Sequence, residues 1–173
     1  MLSTFLSKVP ITRQKIFATA SVSTMSFYSL SAIKGNDETI HMEDFQGKVV
    51  YANNVASNWG ATRREYALFE KLGRRWGDDL VIMAFPSREF GQQEFADDAK
   101  IRQFAASKNF PGILMKLGCV LGSDAPDVWK YMKEETGAAD PTWNFDGKFL
   151  VSKSGVVSVP SNVERDIEAL MSE

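Results

Sequence analysis

The stretch that most constrains this chain runs from Lys48 to Thr62, where seven residues rich in strand formers, Val49 to Val55, end in Ser57, Asn58 and Gly60, which are turn residues. Thr62 follows at once, with Glu65 three positions on, and Tyr66, Phe69, Leu72 and Trp76 then recur at helical spacing. A buried strand running through a short turn into a helix is therefore predicted, with Thr62 and Glu65 as a capping box. The N–H groups at such a helix start face the turn and stabilise an anion placed just ahead of it. Position 59 is that place, and it is occupied by Trp59.

The remaining elements are arranged around this unit. Phe27 to Ala32 and Glu38 to Met42, separated by Gly35-Asn36-Asp37, read as an opening hairpin. Leu80 to Phe85, short, apolar and closed by Pro86, reads as a buried parallel strand. Asp97 to Ser107 reads as a second helix with Ile101, Phe104 and Ala105 on one face. A third helix is predicted with Asp124 as its cap and Pro126 in its first turn, its apolar stripe being Ala125, Val128, Trp129 and Met132. Phe149 to Val151 and Val156 to Val159 flank Ser152-Lys153-Ser154-Gly155 as a hairpin. The last helix is predicted to begin at a Ser161-x-x-Glu164 capping box and to bury Val163, Ile167, Leu170 and Met171. Alternating strands and helices with a closing hairpin make a three-layer α/β domain.

Composition excludes several chemistries. The single Cys, Cys119, rules out a disulfide framework and a C-x-x-C pair, and as the sequence stands it is as consistent with a core thiol as with a surface one. The single His, His41, argues against a His-based metal site or triad and reads as a surface strand residue. A net charge of -2 gives no reason to expect nucleic acid or an anionic membrane as partner. No apolar run reaches the roughly 20 residues of a membrane-spanning helix. Arg63, Arg64, Arg74 and Arg75 have acidic neighbours and read as solvated helix faces.

Residues 1–25 stand apart as a predicted transit peptide or disordered tail, ahead of one domain over 26–173. From Met1 to Asn36 there is no Asp or Glu, while Lys8, Arg13, Lys15 and Lys34 are basic and Ser and Thr abound. That pattern predicts import into the mitochondrion first and the plastid second; translation beginning at Met25 would instead leave the protein in the cytosol.

Three ordered blocks carry a resemblance to a known family. Asn54-Val55-Ala56-Ser57-x-x-Gly60-x-Thr62 resembles the N-V-A-S-x-[selenocysteine or Cys]-G-x-T segment of glutathione peroxidases. Ala84-Phe85-Pro86-Ser87-Arg88-Glu89-Phe90-Gly91-Gln92-Gln93-Glu94 is similar to A-F-P-C-N-Q-F-G-x-Q-E, and Trp143-Asn144-Phe145 followed by Phe149-Leu150-Val151 is similar to the W-N-F and F-L-V of that family. The likeness runs from about Phe27 to the C-terminus. It implies a thioredoxin-like fold, a three-layer α/β/α sandwich with a central mixed sheet.

The resemblance also implies a chemistry: an ionised thiol or selenol at position 59 displaces one oxygen of hydrogen peroxide or an organic hydroperoxide, and glutathione serves as reducing co-substrate, with no bound cofactor and no metal. It places Gln93, Trp143 and Asn144 as the donors around that anion; the alternative for Trp143 is a plain core aromatic. The chain departs from the family at Ser87, Arg88 and Glu89, which stand for Cys, Asn and Gln, at Phe95, which stands for Pro, and at Ala105-Ala106, where thioredoxin-dependent members carry a resolving Cys. Trp59 is the largest departure, because an indole has no ionisable nucleophile. Selenocysteine is encoded by UGA, one base from the standard Trp codon and read as Trp in some genetic codes. A misread or substituted selenocysteine thus stands beside a genuine Trp, which would make the protein a non-catalytic binding or assembly subunit of an organellar complex, with an exposed Trp59 as docking aromatic and a protein partner.

Overall fold

A computed structural model describes residues 25–173; the predicted transit peptide lies outside the described residues apart from Met25. Strand β3 (Val49–Val55) is the centre of the fold, and all seven of its residues are buried. Its alternating side chains serve two cores, since Val50 and Ala52 point to one face and Val49, Tyr51 and Val55 to the other. Helix α1 (Thr62–Trp76) leads from it to the parallel strand β4 (Leu80–Pro86), in register from Val49 opposite Leu80 to Val55 opposite Pro86. Helix α2 (Asp98–Ser107) and the short β5 (Ile113–Leu114) extend the sheet in parallel. After helix α3 (Asp127–Thr136), strand β6 (Lys148–Val151) returns antiparallel to β3 and pairs with β7 (Val157–Ser158), and helix α4 (Val163–Met171) closes the chain.

The sheet order β5-β4-β3-β6-β7 mixes parallel and antiparallel pairs, as expected. On one face Tyr66, Phe69 and Leu72 of α1, Ala105 of α2 and Ile167 of α4 pack together. On the other, Val128, Trp129 and Met132 of α3 join Phe27, Met42 and Phe45 from the N-terminal segment. These are the three layers.

Several local readings are corrected. The opening hairpin is shorter than expected, with β1 at Ser31–Ile33 and β2 at Thr39–His41. Phe27–Ser29 instead forms a 3₁₀ turn that tucks the Phe27 ring into the core. Thr62 does not cap α1: the helix starts at Thr62 after Ala61, with no side-chain cap, and Glu65 pairs with Arg64 and Lys148 instead. Asp124 does not cap α3, which begins at Asp127 with Pro126 in the cap position; Ala125, the residue before proline, is held extended (φ -63°, ψ 148°) and cannot continue a helix. Asn162, not Ser161, caps α4, its side chain accepting the Arg165 N–H. Of the residues expected beneath α4 only Ile167 is buried; Val163, Leu170 and Met171 are half-buried. His41 is an exposed strand residue bonded to Ser31. Arg64 pairs with the buried Glu65, and Arg74 and Arg75 form exposed ion pairs with Glu70 and Glu168.

Candidate active site

Three segments meet at the end of β3. The first is the turn Ala56–Ala61, and the Thr62 hydroxyl explains both its shape and the missing cap. That hydroxyl donates to the Ala56 carbonyl at 2.6 Å and accepts the Trp59 N–H at 3.2 Å, while the Thr62 N–H binds the Trp59 carbonyl at 3.1 Å. Residue 59 is thereby fixed three positions ahead of the first helical residue, at the positive end of the α1 dipole. Its indole is half-buried and stacks on Phe145, with ring centroids 5.7 Å apart and planes inclined by 21°. The exposed docking aromatic considered from the sequence is not what the structure holds, because Phe145 covers one face of the ring.

The second segment is the loop from Ser87 to Glu94. The Asn58 N–H donates to the Gln93 carbonyl at 2.8 Å, and the Ser57 N–H to Glu94 Oε1 at 3.2 Å, so two successive bonds stitch this loop to the turn bearing Trp59. The family departures in this loop form a brace. Ser87 Oγ donates to Glu89 Oε2 at 3.0 Å, and the same oxygen receives the Val120 N–H at 2.6 Å.

The third segment, Trp143 to Gly147, is clamped to β3 by two asparagines inside the otherwise apolar strand. Asn54 Nδ2 donates to the Trp143 carbonyl at 2.9 Å, Asn54 Oδ1 accepts the Gly147 N–H at 2.8 Å, and Asn53 Nδ2 reaches the Gly147 carbonyl at 2.7 Å. Backbone bonds from Phe145 to Asn54 and from Asn54 to Gly147 complete the clamp. Phe145 lies in the left-handed region at φ 59°, and its ring stacks against Trp59.

Of the donors implied by the family, the structure brings Gln93 and Asn144 into direct contact. Asn144 is 2% exposed and its Nδ2 donates to Gln93 Oε1 at 2.7 Å. With its oxygen engaged, the Gln93 amide keeps its N–H groups for another acceptor. Asn144 Oδ1 is buried with no partner among the described residues. Trp143 is 43% exposed, so it is not a core aromatic; its ring lies beside Gly91 and makes its aromatic pair with Phe90, whereas Trp59 pairs with Phe145.

Burial and the neighbouring Glu89 and Asp124 push the Cys119 thiol up, which leaves it protonated and a poor nucleophile. It is half-exposed rather than a core thiol, and it lines a cavity of about 400 Å³ between β1 and the start of α3. Among the described residues no cluster of His, Cys, Asp and Glu could hold a metal ion, and no helix is long and apolar enough to cross a membrane. Sequence reasoning missed Asn53, and read Asn54, Glu94 and Phe145 only as parts of motifs. The available signal was the pair of amides in the middle of a fully buried strand, since buried polar groups require partners.

A family model described as glutathione peroxidase matches residues 27–133. "Glutathione peroxidase 1, mitochondrial" of Chlamydomonas reinhardtii is 38% identical over 140 residues, covering 78% of this chain and 69% of that protein. "Phospholipid hydroperoxide glutathione peroxidase" of Sus scrofa is 33% identical, covering 82% and 78%. "Glutathione peroxidase-like peroxiredoxin 2" of Saccharomyces cerevisiae is 34% identical, covering 87% and 99%. Among solved structures, a thioredoxin-like protein from Aeropyrum pernix superimposes with a TM-score of 0.56 at 15% identity, covering 84% of this chain and 89% of that one. The fold is thioredoxin-like.

Proposed function

The chain belongs to the glutathione peroxidase family, and from that premise we propose that position 59 is its peroxide-reacting position and that the competent form of the protein carries selenocysteine or cysteine there. In that form it reduces hydrogen peroxide or organic hydroperoxides with glutathione. The observation that carries this reading is the bond between Gln93, on a loop tied to the residue-59 turn through Asn58, and Asn144, 51 residues on in the segment clamped to β3. Amide donors beside a helix N-terminus are what an anionic nucleophile requires.

The anion at 59 attacks one peroxide oxygen, the O–O bond breaks, and the alcohol or water leaves with a proton from solvent. A first glutathione displaces water from the oxidised residue 59, and a second regenerates the anion and departs as glutathione disulfide. An external thiol is needed because Ala105 and Ala106 provide no resolving Cys. The acid-free, basic N-terminus and the mitochondrial relative from Chlamydomonas support a mitochondrial location.

A second reading, a non-catalytic binding or assembly subunit on the same fold, is favoured by one observation: Trp59 is well accommodated in its stack on Phe145. Mass spectrometry of the residue-59 peptide from the native source, together with peroxide turnover by Trp59→Cys, separates the two. Selenocysteine in that peptide, or glutathione-dependent turnover by the variant, supports the peroxidase. Tryptophan in the peptide together with a folded but inactive Trp59→Cys supports the subunit.

A further inference from the structure

The turn bearing residue 59 is joined to the Gln93 loop by two adjacent bonds of different kinds. One, from the Asn58 N–H to the Gln93 carbonyl at 2.8 Å, is backbone to backbone and does not depend on either side chain. The other depends on a single side chain. Glu94 Oε1 accepts the Ser57 N–H at 3.2 Å from one segment and the Phe95 N–H at 2.9 Å from the other, so one carboxyl oxygen bridges them. Glu94 is 2% exposed, which is rare for an acidic residue without a cationic partner.

Its second oxygen is a further clue. Glu94 Oε2, Ser57 Oγ and Tyr66 Oη are all buried and have no partner among the described residues. A carboxylate so placed is costly, whereas a neutral carboxyl offers an O–H to the neighbouring hydroxyls. Burial pushes the Glu94 carboxyl up, against the opposing influence of Ser57 and the two N–H groups. The ring of Trp59 makes its own contact with Phe145, so Glu94 acts on position 59 through the turn.

We propose that Glu94 is a positioning residue: it holds the Ser57–Trp59 turn against the Gln93–Asn144 donor pair, and so sets the distance between the reacting atom at 59 and the Gln93 amide. This rests on the reading of 59 as the reacting position. Glutamine reproduces the bridge, with Oε1 accepting and Nε2 donating, while leucine has the size but neither function.

The first measurement needs no activity. In the Trp59 protein, hydrogen exchange at the Ser57 amide should be kept in Glu94→Gln and should accelerate by at least about tenfold in Glu94→Leu, the loss of one buried hydrogen bond, while the Val55 amide is unchanged. The second is made in the Trp59→Cys background. Glu94→Leu should lower kcat with glutathione by about 10- to 100-fold, as expected for a misplacement of the reacting atom, and raise the pH at which the introduced thiol at position 59 ionises; Glu94→Gln should restore both. Unchanged Ser57 exchange in folded Glu94→Leu overturns the assignment, as does faster exchange with kcat retained. If the leucine variant does not fold, Glu94→Asp, whose carboxyl is one methylene too short for the bridge, takes its place: accelerated Ser57 exchange with lowered kcat supports the assignment, and either readout unchanged overturns it. If a folded Trp59→Cys is inactive with Glu94 intact and the native residue-59 peptide carries tryptophan, the peroxidase reading falls, and Ser57 exchange alone decides whether Glu94 holds the turn.

Discussion

Replacing Asn54 by alanine should loosen the Trp143–Gly147 loop and cost the protein a measurable part of its stability. Two side-chain bonds disappear, Nδ2 to the Trp143 carbonyl at 2.9 Å and the Gly147 N–H to Oδ1 at 2.8 Å. Each leaves a backbone group without its partner, at about 1–3 kcal/mol per group when water cannot replace it. Gly147 and Trp143 are only partly covered, so the lower half of that range applies, and the small void left inside β3 adds to it. A total of about 2–4 kcal/mol results, a large share of the roughly 5–15 kcal/mol by which such domains are stable. For a domain of this size the midpoint of thermal unfolding should fall by about 5–15 °C. Urea titration followed by circular dichroism is the assay, with the slope expected to match that of the parent. A loss below about 1 kcal/mol at unchanged slope would refute the argument, because the loop would then be held by its backbone bonds and by Asn53 alone.

Four further outcomes are expected. Adding Gln93→Ala or Asn144→Ala to an active Trp59→Cys should reduce peroxide turnover by on the order of a hundredfold, read by coupled glutathione oxidation. Gly147→Ala should destabilise by about 1–3 kcal/mol in urea, since a Cβ there would lie 2.8 Å from the Trp129 ring. Tyr51→Phe should be neutral or stabilising by up to about 1 kcal/mol, because the hydroxyl it removes is buried without a partner. The Asp166 carboxyl is held down to about 2 by the Asn162 N–H and Arg165. Because its folded value is below the unfolded one, its contribution is complete above about pH 4 and lost as the pH falls toward 2. Asp166→Asn should therefore flatten the melting temperature across that window, and a curve unchanged from the parent would count against it.

The skeleton was legible because its signals are local. Val49 to Val55 appears as read, and α2 begins after Asp97 as its periodicity implies. The capping boxes at Thr62 and Ser161 failed for a shared reason: whether a hydroxyl caps a helix depends on what else it can reach. Thr62 spends its hydroxyl on Ala56, and the Ser161 hydroxyl is engaged with Asp166 and Arg165, leaving Asn162 to cap. Pro126 sits at the cap of α3 rather than in its first turn, because a residue before proline is held out of the helical region, and the helix begins at Asp127. Within the site, Gln93 and Asn144 came from family resemblance, since no periodicity links residues so distant in sequence. Their mutual hydrogen bond, the Phe145 platform and the Glu94 bridge arise only from how the three segments converge.

The state of Cys119 has a practical consequence for chemical labelling. It is the only sulfhydryl in the chain, and burial, reinforced by its neighbours Glu89 and Asp124, keeps it in the unreactive protonated form. A cysteine introduced at position 59, facing the N-terminal end of α1, should ionise at far lower pH. Near neutrality an alkylating probe should therefore discriminate between the two thiols without Cys119 being removed, and the modified fraction at 59 can be counted in the parent background.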